Sequence, residues 1–143
     1  MLSEAEQQKI EQIQSEDDLQ KYIDIVTQAS NTEFLYEYAK AYNWDDGYEL
    51  PNAIADNSSC DLGTALSLFW LAEAMCYLTK EVMRDEYNGS WADFCEKLIY
   101  RLSNNQYPTG PVSFDPNIGK VEVYKLEQAG VSPVFYTKVV GST

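Results

Sequence analysis

Asp45, Asp46 and Glu49 lie within five residues of one another, and a trio of that kind could hold a hard divalent cation or divide acid and base duties in a hydrolysis. Cys60, next to Asp61, could be a reactive thiol if it stood at a helix N-terminus. Neither group has its usual helper. The sequence contains no histidine, which removes Ser/His/Asp and Cys/His catalysis, most zinc sites and the ordinary neutral-pH proton shuttle. Local structure also accounts for the same residues. Asn43 can adopt a left-handed conformation, Asp45 or Asp46 can form an Asx-turn, and Gly47 supplies a positive φ, so the run 42–47 reads as a tight turn ending a helix. Replacing Asp45 and Asp46 together is then expected to cost stability through lost turn contacts. Asp61 suits the N-cap of a following helix, and Cys60 a small packed side chain. We therefore assign no catalytic residue, no cofactor and no metal. A carboxylate-dependent hydrolase built on Asp45, Asp46 and Glu49 stays open as the alternative.

The elements that would position these residues are helical. Ser-x-x-Glu/Asp pairs at Ser3/Glu6, Ser15/Asp18, Ser30/Glu33 and Ser90/Asp93 each open a stretch with helical apolar spacing, the signature of a capping box. Leu19, Tyr22, Ile23 and Val26 form one apolar stripe, and Leu35, Tyr38, Ala39 and Tyr42 another. Residues 62–78 are apolar almost all round, which a soluble domain tolerates only in a helix packed on several sides, so this stretch is the expected central helix. Leu50 precedes a proline and is expected to be extended, with Pro51 opening a short helix that ends near Asp56. Phe94, Cys95, Leu98 and Leu102 mark a further helix, ended by Asn104-Asn105 and the prolines beyond. In the tail, Val121-Glu122-Val123-Tyr124 alternates like a short strand, while Glu127-Gln128-Ala129-Gly130 looks like a helix C-terminus; we favour extended structure. The expected fold is mainly α: one domain over residues 1–143, compact around a buried central helix, with an irregular or short-strand C-terminal segment. Its parts are N-terminal acidic helices (1–56), the central and following helices (57–103), and a loop and tail (104–143). Trp44 and Trp70 are expected to be largely buried.

Charge narrows the choice of partner. The formal net charge is −13, and residues 1–56 alone hold 13 acidic and 3 basic side chains. Such a surface repels phosphate backbones, so nucleic acid is excluded as a partner and a basic protein is favoured. The three cysteines, Cys60, Cys76 and Cys95, are an odd number without CxxC spacing, as expected of free thiols in a reducing compartment. With no signal-like N-terminus and no apolar run of membrane-spanning length, the expected location is the cytoplasm, with no membrane partner. Candidate partner-binding acids are Glu16, Asp17, Glu37 and Asp46. The bland alternative is an acidic interaction module whose charge serves solubility alone.

The run Tyr42-Asn43-Trp44-Asp45-Asp46-Gly47, then Pro51 and Ile54, then Cys60-Asp61-Leu62-Gly63-Thr64-Ala65-Leu66 and Phe69, resembles a bacterial family catalogued as domain of unknown function 4274. Trp44, Gly47, Asp61 and Gly63 carry the motif, and each has a structural duty to expect: Trp44 as a core anchor, Gly47 and Gly63 at a turn or close approach, and Asp61 as a cap. The resemblance implies no activity. Small acidic members of such families look like immunity proteins of bacterial toxin systems, each neutralising one toxin domain, and that is the function expected here.

Overall fold

The computed structural model describes residues 1–13 and 19–142. Among them the chain forms eight α-helices: α1 (Glu4–Ile13), α2 (Leu19–Gln28), α3 (Thr32–Ala41), α4 (Glu49–Asp56), α5 (Leu62–Leu71), α6 (Ala74–Leu78), α7 (Gly89–Ser103) and α8 (Lys120–Gln128). Short 3-10 turns at Trp44–Asp46 and Pro133–Phe135 complete the regular structure. A single antiparallel bridge joins Phe114 to Val139, and no strand is formed among the described residues. The protein is thus mainly α. None of its described helices is long and apolar enough to cross a membrane.

The centre is α5. Every residue from Gly63 to Phe69 is buried, so this helix meets neighbours all round: α3, α4, α6 and α7 pack against it, while α2 lies on α4 and α1 on α3. Its large side chains Leu66, Leu68 and Phe69 are fully enclosed, and such side chains each contribute about 1.5 to 3 kcal/mol when taken out of water. Phe135 closes one side, its ring centroid 5.1 Å from that of Phe69.

The expected central helix is broken rather than continuous to residue 78. Ala72 ends α5 and Glu73 turns left-handed (φ 57°) before α6 begins. No Gly or Pro marks this break; the Trp91 indole N–H donates to the Ala72 carbonyl at 2.7 Å, so a side chain from α7 takes an acceptor at the point where the helix stops. The tail corrects a second expectation: residues 121–124 lie within α8. Its end is a Schellman motif, with Val131 N–H bonded to Leu126 O and Gly130 (φ 75°) N–H to Glu127 O. Val121 and Tyr124 are exposed and only Leu126 is buried, so the alternation at 121–124 does not report a buried sheet face. Trp44 and Trp70 are half-buried rather than largely buried, each with its indole N–H tied to a carbonyl, Ala39 O at 3.1 Å and Phe135 O at 2.9 Å respectively.

Helix starts follow the sequence in part. Ser3 and Glu6 form the reciprocal capping box expected of them, at 2.9 and 3.1 Å. The Ser15/Asp18 pair lies outside the described residues. Asn31, not Ser30, caps α3 by accepting from Glu33 N–H. Asn88 occupies the cap position of α7 without a side-chain bond there, and Ser90 and Asp93 fall inside the helix; Asp93 instead pairs with Arg84 at 2.8 Å. Leu50 is helical, because α4 begins one residue earlier, and Pro51 occupies its third position, where an amide donor is not needed.

Burial pushes the hydroxyls of Tyr42 and Tyr107 up to about 12, with the Asp46 and Glu49 charges adding to the effect at Tyr42. Both groups prefer their protons in the fold. The stability this contributes is complete below the ordinary tyrosine value near 10 and is lost as pH rises from there towards 12. Urea denaturation at about pH 8 and about pH 11 should show a lower midpoint at the higher pH, and equal midpoints would contradict the burial of these two hydroxyls.

Candidate functional site

The segment 42–49 turns the chain between α3 and α4. Asn43, in extended conformation (φ −83°), accepts the Asp45 N–H on its side chain at 3.1 Å and so forms the Asx-turn itself. Gly47 takes the positive φ (102°) expected of it, and Tyr42 Oη donates to the Gly47 carbonyl at 2.8 Å. An aromatic block then fixes the turn to the core: Trp44 meets Tyr42 and Tyr48 at ring-centroid distances of 6.0 and 6.1 Å, and both Trp44 and Tyr48 rest on Phe94 of α7.

Two expectations change here. Asn43 is not left-handed, and Asp45 and Asp46 do not make the turn. Both carboxylates are exposed and accept no hydrogen bond and no ion pair among the described residues. Their removal therefore takes away no turn contact. Among the described residues no group of three or more His, Cys, Asp or Glu side chains is arranged to hold a metal ion, so Asp45, Asp46 and Glu49 do not form one.

Asp61 and Gly63 form a different unit, about the start of α5. Asp61 is 3 % exposed; one carboxylate oxygen accepts Thr64 N–H at 2.9 Å and the other accepts Val112 N–H at 2.9 Å. The cap thus also fastens the segment after α7, which adds a bond from Leu62 N–H to Pro108 O at 2.8 Å. Gly63 allows that approach, since a Cβ there would stand 2.2 Å from Val112 O. The C-terminal residues lie over the same segment through Ser142 N–H to Gly110 O and Gly141 N–H to Ser113 Oγ, both 2.8 Å. Cys60 is buried, and burial and then the Asp61 charge push its thiol far above the ordinary range, the opposite of an activated nucleophile.

Of the remaining partner-binding candidates, Glu16 and Asp17 lie outside the described residues. Glu37 is half-buried on α3 and pairs with Lys40 at 3.6 Å; no contact with Asp46 is formed.

Several residues that hold this end of the molecule carry no local sequence signal. Asn57 donates to the carbonyls of Val26 and Ala29 at 2.8 and 2.9 Å, tying the end of α2 to the end of α4. Arg101 of α7 reaches Asp56 at 2.8 Å and the Ala55 carbonyl at 3.2 Å, and Lys97 joins Asp56 at 2.9 Å. Partial burial opposes ionisation of Asp56, but these two cations outweigh it and hold the carboxyl below its usual range. Facing the 42–49 turn is an exposed loop, residues 81–87, which carries Val82, Met83 and Tyr87 to the surface. Val82 lines two openings. One is an apolar groove of about 630 Å³ with Leu78, Met83, Ile99 and Tyr100, and the other is a cleft of about 530 Å³ shared with Gly47, Tyr48 and Trp91.

No curated protein and no solved structure matches the chain. The family described as "Domain of unknown function (DUF4274)" matches residues 30–103, from just before the cap of α3 to the end of α7. That stretch is just over half of the chain and includes the 42–47 turn, Asp61, Gly63 and all of α5, so the protein belongs to the DUF4274 family.

Proposed function

We propose that this protein is a non-catalytic binding protein of the cytoplasm that covers a basic protein partner, in its most concrete form an immunity protein that neutralises one bacterial toxin domain. The observation that carries this reading is the pair Asp45 and Asp46: two adjacent exposed carboxylates, on a turn built by other residues and clamped by an aromatic block, that accept no hydrogen bond and no ion pair among the described residues. Uncompensated charge on a rigid support is what electrostatic complementarity requires, because the charge is already in place when the partner arrives. A toxin domain that acts on nucleic acid must itself be basic around its active surface, and a strongly acidic cover would suit it. The total charge of −13 adds a long-range field of the same sign.

This reading expects the gene for the chain to adjoin that of a large exported protein, whose purified C-terminal domain is the binding partner to test. Asp45→Asn combined with Asp46→Asn should leave unfolding stability within about 0.5 kcal/mol, as for surface changes that remove no contact. The same variant should slow association with that domain by about 3- to 10-fold. A loss of stability with unchanged association would return these carboxylates to a structural role and remove the main support for the proposal.

A further inference from the structure

The cleft beside the 42–49 turn has a chemistry of its own. Its lining comes from three separate places: Gly47 and Tyr48 of the turn, Glu73 and Cys76 about the break between α5 and α6, and Val82, Tyr87 and Trp91 from the 81–87 loop and the start of α7. At about 530 Å³ it falls within the ~300–1,000 Å³ range of ligand pockets. Three of its walls are aromatic. Glu73 is the charged residue among the lining residues, and no lysine or arginine lines the cleft. Its carboxylate is exposed and has no ion-pair partner among the described residues.

Acidic side chains lie near two of the cleft's titratable groups. The Tyr48 phenol is held above its ordinary range first by burial and then by Cys95, Glu73 and Asp45. The Cys76 thiol is raised first by burial and then by Glu81 and Glu73. By contrast, Arg84, the cation of the 81–87 loop, is engaged by Asp93 at 2.8 Å and Glu96 at 3.2 Å. An open cleft with aromatic walls, an unpaired carboxylate and no cation of its own fits a flat or compact organic cation. Cations are drawn to the faces of Trp and Tyr rings, and a neighbouring carboxylate supplies the counter-charge.

We propose that this cleft receives an arginine or lysine side chain presented by the basic protein partner, with Tyr48, Tyr87 and Trp91 about the cation and Glu73 as its counter-ion. This rests on the reading that the protein binds a basic partner, and it places one anchoring contact of that complex. Arg, Tyr and Trp are the residues that most often carry interface affinity, and a cleft holding two of them invites the third from the partner. Asp45 and Asp46 stand on the turn just before Gly47 at the cleft's edge, so the carboxylates that attract the partner lie next to the cleft that would fix its register.

The test is a titration of the full-length, isotopically labelled protein, followed by its amide and indole resonances. The probe is N-acetyl-arginine amide, and the neutral control is its citrulline counterpart. Saturable shifts confined to Gly47, Tyr48, Tyr87 and Trp91 are expected, with the citrulline compound about ten-fold weaker or undetectable. Glu73→Gln should weaken the arginine compound by about five-fold, and Tyr87→Ser by about two-fold; both positions are exposed, so both variants should fold. Shifts that spread over the acidic helices without saturating, equal response to citrulline, or no effect of Glu73→Gln would overturn the proposal. Free arginine binding more tightly than the capped compound would also overturn it, by pointing to a small-molecule site. The two readings fail separately. If the compound does not bind but the basic protein still does, the cleft loses its role and the acidic-surface reading stands. If the compound binds but no basic protein does, the docking role falls together with that reading.

Discussion

Replacing Asp61 by alanine should destabilise the protein by about 2 to 6 kcal/mol, since two buried donors lose their partner and each costs about 1 to 3 kcal/mol. The carboxylate serves two amides at once, Thr64 N–H in the first turn of α5 and Val112 N–H in the segment laid across it, both at 2.9 Å and both away from water. Alanine leaves both amides unsatisfied. Asp61→Asn is the informative companion: its amide oxygen can serve one donor, but its NH2 group would face the other, so the loss should be intermediate. Thermal or denaturant unfolding gives the comparison. An Asp61→Ala loss under about 1 kcal/mol would mean that water reaches these amides and that the cap is not closed by the 108–112 segment.

A comparable loss, about 3 kcal/mol or more, is expected of Gly63→Ala, because the new methyl would meet main chain rather than a yielding side chain. The Cβ would stand 2.2 Å from Val112 O and 2.8 Å from Val112 C, so the 108–112 segment must lift from α5 or the helix must shift. Lifting it also breaks the Asp61–Val112 and Leu62–Pro108 bonds, which couples the two substitutions. The double variant should therefore lose clearly less than the sum of the single losses. Limited proteolysis offers a second check, with the Gly63→Ala protein cut faster within residues 104–119 than the unaltered protein. Equal cutting together with unchanged stability would contradict the close approach.

These two residues also show what a sequence can reveal. Asp61 and Gly63 were legible because their reasons are partly local: an Asp two places before a glycine at the head of an apolar run signals a helix start. What Asp61 and Gly63 meet was not legible, since Val112 lies far along the chain. The break at Glu73 carried no Gly or Pro, and is associated with an indole arriving from α7. The tail offered two conflicting signals, period-two alternation and a terminal glycine. The glycine was the better guide, because a Schellman motif demands a specific backbone whereas alternation on an exposed helix reflects no burial. At the candidate site, the motif Tyr42 to Gly47 pointed to a turn correctly, but Asn43 rather than its aspartates builds it. The cleft could not be read in advance at all: its walls come from residues 47–48, 73–76 and 82–91, and only the tertiary fold brings those stretches together.

The central claim is that uncommitted acidic charge steers this protein to a basic partner, and the most direct measurement is the association rate constant with that partner at about 50 and about 500 mM salt. Steering of this kind raises association by about 10- to 1,000-fold at low ionic strength, while exposed charges are screened beyond a Debye length of ~8 Å at physiological salt. The account predicts a fall in association rate of at least about ten-fold across that range, with the dissociation rate changing much less. An association rate that is the same at both salt concentrations would contradict it, leaving the acidic surface to solubility and the interface to the near-neutral residues 104–143.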